Sequence, residues 1–342
     1  MSTQALAIKY RPTKFEDVVE QGSTIKILQE QLINNSVKHS YLFCGGAGTG
    51  KTTCARIFAN EINHGEGHPV EMDAASNNGV DDVRNIIDQA QIQALDSEYK
   101  VFIIDECHSL SNTAWQAMLK LIEEPPEKAI FIFCTTDPQK IPSTIISRIQ
   151  RYDFQRISQQ GIADRLCYVL TLEAKETPDI VAGASAIDYL AKQAQGGMRD
   201  ALTMLDKCLS YSHNLTVENI VTALGVADYD MMFSLREKIK SGDNGGVVEI
   251  IERLYMSGID LKQFMRQFQD FILDILKFSY TGSYEFVKIP LTYKIKDVSV
   301  VDYKLLTKLV EVNANIRWET DPKYRVEAEL LIFMRVFEEI KE

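Results

Sequence analysis

No run of about 18 apolar residues occurs anywhere in this chain, so a membrane-spanning helix is excluded by length. Residues 1–9 are too short and too polar for a secretory leader, and a cytoplasmic protein with no membrane partner is expected. Cysteine is scarce and scattered: Cys44, Cys54, Cys107, Cys134, Cys167 and Cys208 lie singly, with no C-x-x-C pair. That excludes a zinc or disulfide framework, and several sit in apolar runs, so they are expected as small buried apolar side chains. Positive charge is in deficit, 37 basic against 48 acidic residues for a net charge of −11. A protein that coats nucleic acid by bulk charge is thereby disfavoured, and any DNA contact must be local or shared with partner subunits. Low-complexity tracts and solenoid-period repeats are also lacking. What remains is an ordinary globular composition, 45% hydrophobic and 25% charged, over 342 residues, enough for two or three domains.

The most informative stretch is Tyr41-Leu42-Phe43-Cys44-Gly45-Gly46-Ala47-Gly48-Thr49-Gly50-Lys51-Thr52-Thr53. An apolar run breaks into glycines and then delivers a lysine and two threonines, matching G-x-x-x-x-G-K-[ST] from Gly45 to Thr52. Gly45, Gly48, Thr49 and Gly50 let the backbone aim N–H groups at phosphate oxygens, and the helix expected from about Lys51 adds its positive end. Lys51 would reach the β- and γ-phosphates, and the Thr52 hydroxyl would ligate Mg²⁺. An ordinary glycine turn is the alternative, but the strand before and the apolar helix over 53–62 supply the context the motif needs.

Residues 5–19 read as an extended piece fixed by Pro12 rather than a helix. Helical spacing follows over 22–32, and strands are expected at 70–73, 101–104 and 129–134, the last two as continuous apolar runs buried on both faces of a parallel sheet. His64 and His68 stand four apart, but the glycines between them oppose a helix, so no metal site is expected there. A helix is expected over 80–95, another from the N-cap Ser111 to Pro125-Pro126, and a capping box at Ser185–Asp188. After about Phe154 the pattern turns helical. Stripes such as Phe264, Phe268, Phe271, Ile275 and Val326, Leu330, Phe333, Phe337, Ile340 read as helix-to-helix contact, with 280–300 irregular.

The apolar strand over 101–104 ends in Asp105-Glu106, the expected second half of a P-loop NTPase. Asp105 would hold the Mg²⁺ shell and Glu106 would orient and deprotonate the attacking water, where the structural alternative is an exposed acidic turn. Thr136, ending the next strand, could touch the γ-phosphate or the water. Arg148 follows that strand by a short helix and could serve a neighbour's γ-phosphate, while Arg199 opens a helix in the second domain and could reach back to phosphate, where on pattern alone an ordinary surface arginine is the alternative for each.

Further motifs complete a pattern: Tyr10-Arg11-Pro12 with Phe15-Glu16-Asp17-Val18-Val19-Glu20-Gln21, Asp73-Ala74-Ala75-Ser76, Leu121-Ile122-Glu123-Glu124-Pro125-Pro126, Thr135-Thr136-Asp137-Pro138, Ser147-Arg148 and Gly196-Gly197-Met198-Arg199-Asp200. Over roughly residues 5–210 the chain resembles the AAA+ clamp-loader ATPases, most closely the gamma/tau subunits of the bacterial replicative clamp loader. The resemblance implies an α/β P-loop domain over 1–156, a helical lid over 157–224 and an all-α oligomerising collar over 225–342. It makes Lys51, Thr52, Asp105 and Glu106 the phosphate, metal and catalytic groups, Thr136 the first sensor, Arg148 the trans-acting finger and Arg199 the second sensor. Tyr10, Arg11, Pro12 and Val19 would line the adenine pocket, with Thr53 beside the phosphates. The helix over 80–95, with Ile92 and Leu95 near its tip, would touch the clamp, and the turn at Asn78-Gly79 would offer N–H groups to a DNA phosphate.

What the resemblance implies for function is a DNA-dependent ATPase using ATP and Mg²⁺, which opens and loads a sliding clamp at primer–template DNA. Its partners would be other clamp-loader subunits, in a homo- or hetero-oligomeric pentameric arc. Two departures stand out: the family's four-cysteine zinc module is replaced by the short stretch 64–69, so no zinc is expected, and Ile149 replaces the cysteine after the finger arginine. A compact, zinc-free form suggests a phage or otherwise divergent replication system. The rival readings are another AAA+ remodeller, such as a helicase loader or branch-migration motor, and a nucleotide-holding scaffold subunit.

Overall fold

A computed structural model describes residues 4–94, 96–225, 229–290, 293–296, 298–316 and 319–341. Two compact units divide the chain: residues 1–180 with 190–206, and residues 181–189 with 207–342.

The first unit is organised around a five-stranded parallel sheet of order β2-β3-β4-β1-β5, with β1 at Ser40–Gly45, β2 at Val70–Asp73, β3 at Lys100–Asp105, β4 at Ala129–Thr135 and β5 at Gln150–Phe154. Its apolar runs are continuous because both faces are covered, and the strand's period of two deals alternate residues to opposite sides. Leu42, Phe102, Ile104, Phe131 and Phe133 join one core with α4 (Val80–Ala90), α5 (Asn112–Glu123) and α6 (Ser143–Ile146). Phe43, Val101, Ile103, Ile130 and Ile132 join the other with α2 (Gly22–Ile33) and α3 (Lys51–Ile62). Each such buried side chain contributes roughly 1.5–3 kcal/mol. The order reverses at β1, which pairs with β4 on one side and β5 on the other, and an open parallel sheet binds ligands at the carboxyl ends of its strands beside such a reversal.

Several local expectations are corrected. Residues 5–19 are not extended throughout: α1 (Leu6–Lys9) and a 3₁₀ turn at Phe15–Asp17 form. Pro12 restrains only its immediate predecessor, and α1 is anchored at Leu6, whose amide donates to Asp206 Oδ2 at 3.3 Å. The helix expected over 80–95 stops at Ala90, where the Lys100 ammonium donates to the carbonyls of Gln89 (2.8 Å) and Ile92 (3.4 Å) and satisfies the helix end. Ile92 is exposed beyond that end; Leu95 and the side chains of Phe337 and Ile340 lie outside the described residues. The strand β5 was not expected, so Arg148 precedes the sheet's edge rather than following its last strand. Cys167 is exposed, on the outer side of α7 (Gln159–Glu176), whereas the other five cysteines are buried.

The second unit is helical apart from a two-residue pairing of β6 (Val181–Ala182) with β7 (Asn214–Leu215). Helix α8 spans Ala184–Gln193 and begins one residue before the expected cap Ser185, with the Gly183 carbonyl accepting from the amides of Ala186 and Ile187. After α9 (Met198–Tyr211), whose residues 198–206 belong to the first unit, come α10 (Val217–Leu224), α11 (Tyr229–Ser241), α12 (Asn244–Met256), α13 (Leu261–Thr281), α14 (Val300–Asn315) and α15 (Pro322–Lys341). Helix α13 buries Phe264, Phe268, Phe271 and Ile275 along one face, and Val326 and Leu330 are buried on α15.

A buried ion pair ties α11 to α14: Arg236 Nε and Nη2 donate to Asp302 Oδ1 (2.6 Å) and Oδ2 (3.0 Å), with side chains 2% and 0% exposed. Burial pushes the Asp302 carboxyl up, but hydrogen bonds from Arg236 and the Ser299 amide overcome it and hold the group below the ordinary carboxylate range. Asp302→Ala leaves a guanidinium buried without its main counter-charge, and a loss of about 3–5 kcal/mol is expected in urea denaturation. Because the folded carboxyl titrates lower than the unfolded one, at about 3.9, this stabilisation is present above that pH and lost as pH falls through the folded value. A variant whose urea midpoint matches wild type at neutral pH would contradict this.

Candidate active site

The phosphate loop is shaped by a close approach between strands. A Cβ at Gly45 would lie 2.4 Å from the Phe154 carbonyl oxygen at the end of β5, so glycine alone fits. Gly50 takes φ +100° immediately before α3, a conformation that turns the chain into the helix and leaves its first N–H groups facing the loop. Thr49 Oγ1 donates to the Gly46 carbonyl at 2.9 Å, and the Gly48 carbonyl accepts from the Met198 amide at the start of α9, also at 2.9 Å.

Lys51 is buried, and its Nζ donates to the carbonyls of Gly45 (2.9 Å) and Gly46 (2.8 Å). Burial lowers its pKa, opposed by the negative charge of Glu106 and Asp105 nearby. Thr52 Oγ1 donates to Asp105 Oδ2 at 2.8 Å, while Asp105 Oδ1 accepts from the Glu106 amide at 3.0 Å. A hydroxyl beside a carboxylate is a pair of hard oxygen ligands of the kind Mg²⁺ selects. Together with a loop in which a Cβ at Gly45 would not fit and a lysine turned into its carbonyls, the donor set fits a magnesium nucleotide.

Glu106 sits in the left-handed region, φ 46° and ψ 41°, which costs a non-glycine residue about 1–2 kcal/mol. Its Oε2 accepts from Thr136 Oγ1 (3.0 Å) and from the Thr136 amide (3.3 Å). The structure therefore brings Glu106 and Thr136 together across the ends of β3 and β4.

Tyr10, Arg11, Pro12 and Val19 line the same cavity of about 290 Å³ as Gly48, Thr49, Gly50, Lys51, Thr52, Thr53, Asp105, Glu106 and Arg199. The N-terminal segment is fastened to α7: Tyr10 Oη donates to Glu173 Oε1 at 2.6 Å, and Arg165 donates to the Tyr10 carbonyl at 3.0 Å. Arg148 is not brought to this cavity. It lies exposed between α6 and β5, with Nε donating to Glu123 Oε1 at 2.7 Å and Nη1 to the Thr144 carbonyl at 2.8 Å. The Gly79 amide, expected to face a DNA phosphate, donates instead to Asp82 Oδ2 at 3.0 Å within the cap of α4.

Sequence reasoning missed Val18, Ile157, Arg165 and Leu202 in the cavity wall, and His108 beside Glu106. Val18 was findable as the neighbour of Val19 in one motif. Ile157 comes from the connection between β5 and α7, and Arg165 and Leu202 from α7 and α9, whose packing onto the loop leaves no local signature.

A phosphate loop after β1 of a 2-3-4-1-5 parallel sheet, an acidic pair at the end of β3, which is separated from β1 by β4, and an arginine from a following helix define a P-loop NTPase of the AAA+ type. The fold agrees with a solved Thermotoga maritima RuvB Holliday junction branch migration motor, TM-score 0.51 at 17% identity, covering 73% of this chain and 86% of that one. That likeness concerns the fold alone. Family models match in succession: DNA polymerase III, delta subunit, over residues 62–158; DNA polymerase III clamp loader subunit, ATPase lid domain, over 161–214; and DNA polymerase III subunits gamma and tau domain III over 215–289. The chain is 35% identical to DNA polymerase III subunit tau of Bacillus subtilis over 94% of its own length, and 34% identical to that of Escherichia coli over 76%. Across these domains it is clamp-loader gamma/tau-like. It spans 62% and 43% of the lengths of those two relatives. The match to gamma and tau domain III carries the resemblance past residue 210, into helices whose sequence had suggested only their size.

Proposed function

We propose that this chain is an ATP-hydrolysing motor subunit of a DNA sliding-clamp loader. The observation that carries the reading is the convergence of Thr52 on Asp105 and of Glu106 on Thr136 at the mouth of one phosphate loop. In this reading the Lys51 ammonium leaves the Gly45 and Gly46 carbonyls for the β- and γ-phosphates, and Tyr10, Arg11, Pro12 and Val19 flank the adenine. Thr52 and Asp105 would hold Mg²⁺, which when bound would supply positive charge against the phosphates. Glu106 turns from Thr136 to orient and deprotonate water, Thr136 and Arg199 report the state of the γ-phosphate, and Arg148 serves the nucleotide of a neighbouring subunit.

The division into an ATPase domain over 1–156, a lid over 157–224 and a collar over 225–342 belongs to the same proposal. So do a sliding clamp, primer–template DNA and further loader subunits in a pentameric arc as partners, and a cytoplasmic location. The test is steady-state ATP hydrolysis with and without primed DNA and the cognate clamp. Stimulation by both together is expected, and a rate indifferent to the clamp would overturn the reading.

A further inference from the structure

Tyr10 is gripped at both ends by one helix. Its hydroxyl donates to Glu173 Oε1 at 2.6 Å, and its carbonyl oxygen accepts from Arg165 Nη2 at 3.0 Å, both partners standing on α7 about two turns apart. Lys9 adds to the grip: its Nζ donates to Glu173 Oε1 (2.8 Å) and Glu176 Oε2 (3.0 Å), and it lies 5.3 Å from the centre of the Tyr10 ring. Burial pushes the Glu173 carboxyl up, yet the donors on Lys9 and Tyr10 outweigh it and keep the group below the ordinary carboxylate range. An ionised acceptor therefore faces the tyrosine at neutral pH.

The segment is also anchored on either side of this point. Leu6 and Phe15 are each 4% exposed, and Phe15 belongs to the core shared with α2 and α3. Between these two anchors the chain gives Ala7, Tyr10, Arg11 and Pro12 to the wall of the nucleotide cavity. Glu173 is not among the residues lining that cavity, so its influence on a bound nucleotide passes through Lys9 and Tyr10. At Tyr10 the wall takes its place from α7, whereas the phosphate loop takes its place from the sheet.

We propose that Glu173 is a positioning residue for nucleotide binding, which through the Tyr10 hydroxyl fixes the wall beside the adenine and so sets the affinity for ATP without touching it. The inference rests on the reading of Tyr10, Arg11 and Pro12 as the base wall. A wall held in one place binds at its intrinsic affinity, and a wall that moves binds in proportion to the fraction of time it is in place. A hydrogen bond to a charged acceptor at 14% exposure shifts that balance by about tenfold, which weakens ATP binding by about three- to tenfold when the bond is removed.

Calorimetric binding of Mg·ATP to variants of the full chain separates this role from packing. Glu173→Leu removes the acceptor and Tyr10→Phe removes the donor. Each is expected to raise Kd about three- to tenfold, and the double variant no further than the weaker-binding single one. Glu173→Gln keeps an oxygen that accepts from the hydroxyl, and its Kd is expected within about twofold of wild type. In steady-state hydrolysis with clamp and primed DNA the loss in Glu173→Leu falls on KM, with kcat unchanged. Tyr10→Phe deletes one oxygen atom and carries the test if Glu173→Leu does not fold. A wild-type Kd in Tyr10→Phe or Glu173→Leu, effects that multiply in the double variant, a Glu173→Gln chain as weak as Glu173→Leu, or a loss confined to kcat overturns the proposal while leaving the ATPase reading intact. A wild-type chain that neither binds nor hydrolyses Mg·ATP, with or without its partners, overturns both.

Discussion

Replacing Lys51 by alanine is expected to abolish Mg·ATP hydrolysis without destabilising the fold. The ammonium is buried at 6% exposure, and its hydrogen bonds go to two carbonyls of the loop rather than to a carboxylate. Charge-assisted bonds to phosphate in such a water-poor setting stabilise by roughly 1.5–3 kcal/mol each, so losing two costs about 10²- to 10⁴-fold in nucleotide turnover. Stability moves the other way. Burial lowers the Lys51 pKa, so the folded state disfavours the charged form, and at neutral pH the protonated side chain detracts from stability. Lys51→Ala is therefore expected to melt at or above the wild-type temperature while binding no fluorescent ATP analogue. A variant that loses activity only because its melting temperature has dropped would contradict the placement of the lysine as a charge held for phosphate.

The second large effect is expected at Arg148. Its guanidinium is exposed and paired with Glu123, and an ion pair of that kind contributes about 0–1 kcal/mol to stability. Arg148→Ala should thus fold and bind ATP as wild type does. In the assembled complex, however, loss of a charge supplied to the neighbour's γ-phosphate is expected to slow hydrolysis by ~10³-fold. Mixing makes the test specific: Arg148→Ala chains keep an intact Glu106 and Glu106→Gln chains keep an intact Arg148. Neither alone should turn over at a useful rate, and together they should recover a fraction of it. Absence of recovery, with both variants shown to co-assemble, would rule out a finger acting in trans.

How much of this was legible in the sequence depends on how local the cause of each feature is. The loop from Gly45 to Thr52 and the strands ending at Asp105 and Thr135 were readable because a continuous apolar run signals burial on both faces, and a phosphate loop needs its residues consecutive. β5 was missed because it lies at the sheet edge: Gln150, Arg151 and Asp153 face solvent, and only Tyr152 and Phe154 turn inward. The early end of α4 depends on Lys100, ten residues beyond Ala90, whose ammonium reaches back to the helix carbonyls. The pairing of Glu106 with Thr136 was half visible, since each directly follows the end of an apolar strand. The approach of His108 depends on a turn of three residues that no periodicity announces. Cys167 is exposed on a helix whose buried positions, Ile162, Leu166, Val169 and Leu170, follow a helical period that excludes it.

The hydrogen bond from the Met198 amide to the Gly48 carbonyl has an electrostatic consequence. It sets the first turn of α9 beside the first turn of α3, so two helix N-termini, each equivalent to roughly half a positive charge, converge at the phosphate loop. The chain as a whole carries −11 and repels an anion at long range. At 0.1 M salt the Debye length is about 10 Å, which screens that distant repulsion and leaves the two dipole ends acting at contact. Moderate ionic strength would then ease the approach of a nucleotide to a protein whose body opposes it.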